Sequence, residues 1–359
     1  MQMRRDLSML NVFNHWDPLQ SCIVGKSYSP KFYDFVSDTN VRSKLCTIAE
    51  QTEEDLDNLS KQLQKFGVHV MRPSITDNYL DVLYGNKLLP APLTPRDYTA
   101  VIDDKVFIPT PNALGLWNRL RGADWPLVPP QDITEYDGYS IENLYDYDHT
   151  WLAEVAEFAT EQGNEVIYDA DIDTAMVHRV GNTLYVGNWV RGDPGVTEKL
   201  RTMFPDKTVK LIETAGHLDG RMCMISGSLL ITTPGLDVED MFPDHEIYTV
   251  KSTVNRTFSD EKQRQLGKWW LPDQLTSPDF EDYISNYLGN WLGEIRESCF
   301  DVNLLIVNKN TVFCSSEDPG LFKSLESHGI TPHIVPLRHK LFWDGGLHCV
   351  TADLDRHAG

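Results

Sequence analysis

The stretch VIDDKVFIPT, residues 101–110, sets two apolar runs on either side of Asp103, Asp104 and Lys105. It reads as a β-hairpin, with aspartate where a tight turn needs unusual backbone angles. Three more stretches share the design: RVGNTLYVGN (179–188), MISGSLLITT (224–233) and LIVNKNTVFCS (305–315). Four hairpins also occur in unrelated α/β proteins. Their recurrence nevertheless suggests an internal repeat whose units stack around an axis.

Helical patterns lie between the hairpins. LCTIAEQTEEDLDNLSKQLQKF (45–66) repeats apolar residues at helical spacing, Gly67 stops it, and VHVM follows as a strand. HTWLAEVAEFATEQ (149–162), Gly163 and EVIYDAD repeat this order, as do GLFKSLESH (320–328), Gly329 and HIVPL. Segment 250–295 breaks the rhythm with Trp269, Trp270, Tyr283, Tyr287 and Trp291 among polar residues, and reads as an inserted, mostly helical excursion. Region 117–148 reads as loop-rich.

Polar residues stand just upstream of each hairpin. They are Asp97 in PRD, Asp169 and Asp171 in YDAD, His217 and Asp219 in GHLDG, and Asp301 and Asn303 in FDVN. Strands entering one end of a symmetric barrel would deliver all of them to the axis. Cys349, in DGGLHC (344–349), follows the last helix–strand unit. A lone cysteine is by default a small buried hydrophobe. Gly345, Gly346 and His348 beside it argue for a closely approached, irregular backbone. A nucleophilic thiol needs a base, and His217 is the best candidate. Asp219, two residues on, shares its face if the segment is a strand. Asp169 could orient the imidazole. Asp97 and Asp219 would remain for a cation. A planar guanidinium suits paired carboxylates and offers an electrophilic carbon to a thiolate.

The 359 residues carry a formal net charge of −21, with 41% hydrophobic and 10% aromatic residues. That composition supports a sizeable core and argues against nucleic-acid or anionic-membrane binding. None of the six cysteines forms a CxxC pair, so neither a zinc site nor a disulfide framework is indicated. No window approaches 18 apolar residues, and MQMRRDLSML lacks an apolar signal core. The expectation is a soluble cytoplasmic protein.

The chain resembles the glycine amidinotransferase family, within the wider guanidine-modifying pentein group. The matching stretches are NHWDPLQSCIVGK (14–26), EEDLDNL (53–59), TPRD (94–97), YDAD (168–171), GHLDG (216–220) and GGLHCVTADL (345–354), in family order. The resemblance implies one α/β domain over 1–359: a five-bladed pseudo-symmetric α/β-propeller (pentein fold) with an insertion at about 250–295. It implies Cys349 as nucleophile, His217 as acid/base, Asp169 as its partner, and Asp97 and Asp219 as guanidinium ligands. It implies transfer of the amidino group from L-arginine to an amine, glycine by default, giving guanidinoacetate and L-ornithine, without a metal or organic cofactor. A homodimer is a further expectation of the family. Family members that use arginine carry an arginine about nineteen residues after the catalytic histidine. Here that stretch reads TTPGLDVED (232–240), and Arg296-Glu297 precedes Ser298 where a serine pair is expected. Arg296, Ser298 or Arg221 would then hold the donor's carboxylate. A guanidine hydrolase of arginine deiminase type and a non-catalytic guanidine-binding protein are the alternatives.

Overall fold

The computed structural model describes residues 9–75, 77, 83–84, 87–88, 91–108, 135–136, 139–140, 150–169, 172, 174–189, 194–214, 217–250, 278–283, 302–343 and 345–357. All four expected hairpins form. They pair Ala100–Ile102 with Lys105–Ile108, Val177–Val180 with Thr183–Trp189, Met222–Met224 with Leu229–Thr232, and Leu305–Asn308 with Thr311–Cys314. A third strand then adds parallel to the second of each pair: Glu165–Tyr168, Thr208–Thr214, Glu246–Thr249 and Thr331–Ile334 respectively.

A fifth sheet has the same plan but no hairpin. Leu19–Val24 pairs antiparallel with Thr351–Arg356 and parallel with His69–Met71. The two ends of the chain supply the antiparallel pair, so no turn sequence announces it. Thr351–Arg356 reads TADLDR, a polar run, yet all six residues are buried.

Call this sheet I and the others II to V in chain order. Hydrophobic clusters join each sheet to the next. Ile23, Ala352 and Leu354 pack with Val101 and Val106, joining I to II. Ile102 and Phe107 pack with Val177 and Leu184, joining II to III. Tyr185 and Ile212 pack with Met222 and Leu230, joining III to IV. Cys223 and Ile231 pack with Leu304 and Val312, joining IV to V. Leu305 and Phe313 pack with Leu19 and Cys22, returning V to I. The five sheets therefore succeed one another cyclically. Inner strands such as Leu229–Thr232 and Thr311–Cys314 are buried throughout, which is why they read as unbroken apolar runs. The third strands lie outside, half exposed, and Tyr168, Leu211 and Ile334 on them face solvent.

Helices cross from the second to the third strand in four sheets: Thr39–Lys65, Thr150–Glu161, Pro194–Met203 and Pro319–Ser327. Sheet IV has only the short 3₁₀ turn Glu239–Met241 there. Thr39–Lys65 begins six residues before the expected start, because the Asp38 carboxylate caps the amides of Asn40 and Val41 at 2.9 Å each. Its added turns are polar and bury only Val41, so periodicity did not mark them. Gly67, Gly163 and Gly329 end three helices with φ of +82°, +87° and +72°, a conformation costly for other residues. The helix Pro194–Met203 was not anticipated. Of the 250–295 excursion, the described part is residue 250 and 278–283. Pro278–Tyr283 is helical, and its buried Phe280 packs in the cluster around Thr39–Lys65. Within 117–148 the described residues form a small hairpin, Glu135–Tyr136 with Tyr139–Ser140.

The first strands carry a buried charged hub. Asp353, 1% exposed, accepts from Arg179 Nη2 at 3.0 and 2.8 Å and from Arg356 Nε at 2.8 Å, and it pairs with Arg96. The same guanidinium groups reach other sheets: Arg179 donates to the Val101 carbonyl at 2.6 Å, Arg356 to that of Ile306 at 3.0 Å. Removing one partner would strand buried charge, which typically costs about 3–5 kcal/mol. Against the hub, His15 stacks on His178 with ring centroids 4.6 Å apart, and lies 4.8 Å from His348. Burial, then neighbouring imidazoles and arginines, pushes the His178 ring down to about 3; burial, then Arg96, pushes His348 down to about 4. His15 is held well below the ordinary imidazole range by burial, and His339 is pushed down to about 4.

From pH 6.5 down to about 4, the unfolded chain protonates these rings and the folded chain does not. Stability is therefore expected to fall with pH across that window, by up to about 1.4 kcal/mol per unit for each ring. Urea midpoints measured at pH 7 and pH 5 should show the drop; equal midpoints would count against buried neutral imidazoles.

Candidate active site

Three 3₁₀ turns precede the hairpins of sheets II, III and IV: Pro95–Asp97, Thr174–Met176 and Leu218–Gly220. The first packs on the second and the second on the third. They bring to one place residues more than 100 positions apart. A proline opens the first turn, and Thr94 Oγ1 donates to Asp97 Oδ2 at 2.9 Å, fixing that carboxylate.

As a strand, this segment would set His217 and Asp219 on one face. They instead belong to a turn, with His217 immediately before it and Asp219 inside it. The two side chains consequently serve different neighbours. His217 Nδ1 lies 3.8 Å from Asp97 Oδ1, an electrostatic contact too long for a hydrogen bond. Asp219 Oδ2 meets His348 Nδ1 at 2.8 Å and Cys349 Sγ at 3.5 Å. Burial raises the cost of the Asp219 charge. The hydrogen bond from His348, with the nearby Arg96 guanidinium, outweighs it and holds this carboxyl well below the usual range. Asp219 is thus an anion, 2% exposed, beside the sulfur.

Cys349 sits in the turn 347–350 that leads into Thr351–Arg356, the position in sheet I that the other turns occupy in theirs. Asn303, just before sheet V, closes the group. Its Oδ1 accepts the backbone amides of His348 and Cys349 at 2.8 and 2.9 Å, and its Nδ2 donates to Sγ at 3.0 Å. Nδ2 also lies 3.2 Å from the Asp219 carbonyl and 3.3 Å from Oδ2. The glycines follow from this packing. A Cβ on Gly346 would stand 2.6 Å from Asn303 Oδ1 and 2.7 Å from its Cβ. One on Gly345 would stand 3.3 Å from Thr94 Cγ2 and 3.4 Å from Cys349 Cβ. The Asp97 turn and the cysteine turn therefore touch.

Asp169 ends the outer strand of sheet II, with its amide on the Ile108 carbonyl at 3.1 Å. Both of its carboxylate oxygens receive Lys199 Nζ at 3.1 Å. Arg221, partly exposed, donates to the Pro234 carbonyl at 3.4 Å. Arg296, Ser298, Asp171 and Asp301 lie outside the described residues. Sequence reasoning took Asn303 only as a polar residue before a hairpin, and His348 only as a sign of irregular backbone. Asn303's place was a signal, since it precedes its hairpin as Asp97 and Asp219 precede theirs. Lys199 gave no signal, since it lies on the unanticipated helix. Among the described residues, no three or more histidine, cysteine, aspartate or glutamate side chains are grouped to hold a metal, and no helix is long and apolar enough to cross a membrane.

Comparison with known proteins places similar chains among the amidinotransferases. No family model matches the chain. Inosamine-phosphate amidinotransferase 1 of Streptomyces griseus is 23% identical over 98% of both chains. Mitochondrial glycine amidinotransferase of Xenopus laevis is 22% identical over 96% of this chain and 82% of its own. The solved structure of the Streptomyces griseus inosamine-phosphate amidinotransferase superposes over 98% of both chains with a TM-score of 0.65 at 17% identity. The chain is thus similar over nearly its whole length to amidinotransferases, and its mixed α/β fold of small sheets matches that of the solved one.

Proposed function

We propose that this protein is an amidinotransferase that moves the amidino group of L-arginine to an amine through a covalent intermediate on Cys349, with glycine as the default acceptor. The observation that carries the reading is Cys349 Sγ standing between Asn303 Nδ2 and the ionised Asp219, in a turn that meets the Thr94–Asp97 turn, whose Asp97 faces His217. The cyclic packing of five like sheets supports the five-bladed propeller that would gather these turns.

A guanidinium entering between Asp97 and Asp219 pairs its N–H donors with both carboxylates. Its central carbon then faces the sulfur. The Cys349 thiolate forms the C–S bond, and the C–N bond to ornithine breaks as His217 delivers a proton to the departing amine. The amidino group remains on sulfur. The acceptor amine enters, gives its proton to His217 and attacks the amidino carbon. The C–S bond breaks, returning the thiolate. Asp169 orients His217 in this scheme, while Lys199 shares its carboxylate. Arg221, Arg296 and Ser298 are the candidates for the donor's α-carboxylate, since Leu236 and Val238 stand buried where family members place an arginine.

A screen of guanidino donors against amine acceptors, with mass detection of products, tests the reading. Arginine with glycine should yield guanidinoacetate and ornithine, in amounts that depend on the amine. Citrulline or ammonia formed equally with and without an amine would replace transfer by hydrolysis. Absence of any product, and of any amidino adduct on the intact protein, would leave only binding.

A further inference from the structure

Asn303 makes five polar contacts although it is 2% exposed, and its amide can sit only one way round. Two backbone N–H groups, those of His348 and Cys349, point at one terminal atom from 2.8 and 2.9 Å. Both are donors, so that atom is the oxygen. The atom 3.0 Å from Cys349 Sγ is therefore the NH2 group, a donor.

On its other side the sulfur faces an anion, Asp219 Oδ2 at 3.5 Å. A thiol is content there, with S–H toward the carboxylate. A thiolate is repelled by Asp219 and held by Asn303. Among the described residues, charged or titratable groups near it include His348 on the cysteine's own turn, and Asp97, which faces His217, with Arg96 on the turn touching Gly345. At the sulfur itself the Asn303 amide is a donor and the Asp219 carboxylate an acceptor.

We propose that Asn303 sets the reactivity of Cys349, by donating a hydrogen bond that favours the thiolate beside the Asp219 carboxylate while its oxygen pins the turn carrying the sulfur. An amide suits this task because it donates without adding charge. The Gly346 position is left without a side chain to admit it. The inference rests on the nucleophilic reading of Cys349, but its test reads the thiol rather than turnover.

Asn303→Asp keeps the shape and an oxygen for both backbone amides, and it exchanges the donor at sulfur for a second negative charge. The rate of iodoacetamide labelling of Cys349, located by peptide mass, is measured against pH in wild type and variant. The midpoint of the variant is expected to rise by at least about one unit, the usual effect of a like charge at this range. An unmoved midpoint overturns the proposal. Should the variant not fold, the wild type labelled with ¹⁵N in asparagine side chains serves instead. One side-chain amide must titrate with the Cys349 labelling midpoint and lose that titration in Cys349→Ser; no such resonance overturns the proposal. The two readings separate cleanly. A shifted midpoint with a fully active Cys349→Ala protein refutes the transfer mechanism alone, and an unmoved midpoint with an inactive Cys349→Ala protein refutes only the role of Asn303.

Discussion

The Cys349→Ala protein is expected to fold as the wild type does and to transfer nothing, a loss of at least about 10⁴-fold on the scale seen when a covalent nucleophile is removed. The fold should survive because the backbone amide of residue 349, the atom that Asn303 Oδ1 grips, is untouched. The hydrophobic clusters joining sheet I to its neighbours include Leu347 and Val350 but not Cys349. What disappears is the atom between Asn303 and Asp219 on which the amidino group would rest. Two measurements separate chemistry from folding: product formation by mass, and the thermal midpoint. Wild-type protein mixed with arginine should also gain the mass of one amidino group, and the variant should not. A variant with native midpoint and undiminished rate would end the role given to this sulfur.

The second large effect is expected at His217. His217→Ala should lose at least about 10²-fold in kcat, the ordinary contribution of a positioned acid–base group. Its ring is buried beside Asp97, at the head of the turn that also presents Asp219. Removing it leaves the departing ornithine amine without a proton source and the incoming amine without an acceptor. Both half-reactions should slow, so the adduct should form slowly from arginine and decay slowly on adding the acceptor. Added imidazole should restore part of the rate. Loss of activity with arginine binding equally abolished, and no rescue, would instead make His217 a binding residue.

Much of this was legible in the chain. The four hairpins announced themselves because their strands are buried on both faces and so read as apolar runs around Asp, Asn or Gly turns. Three helices were marked by periodicity and by the glycines that end them. Asp97, Asp219 and Asn303 were legible by their places ahead of hairpins, whereas Asp169 ends an outer strand beside Lys199, and Asp171 and Asp301 lie outside the described residues. Sheet I was not legible: its antiparallel strands lie at opposite ends of the chain, and Thr351–Arg356 is polar because it carries Asp353 and Arg356 into the charged hub. Nor was the turn at Leu218–Gly220: a strand there would have put His217 and Asp219 on one face, and the turn sends them to different neighbours.

Local chemistry, written in the order of residues, determined which elements form and which of them bring a thiol, an imidazole and carboxylates. Only the tertiary structure decided who meets whom. The partner of Cys349 is Asn303, 46 residues away, and the partner of Asp219 is His348, 129 away. Those pairings depend on five sheets packing in a cycle, which no local pattern encodes, because a contact between turns is set by the cores that bring them together.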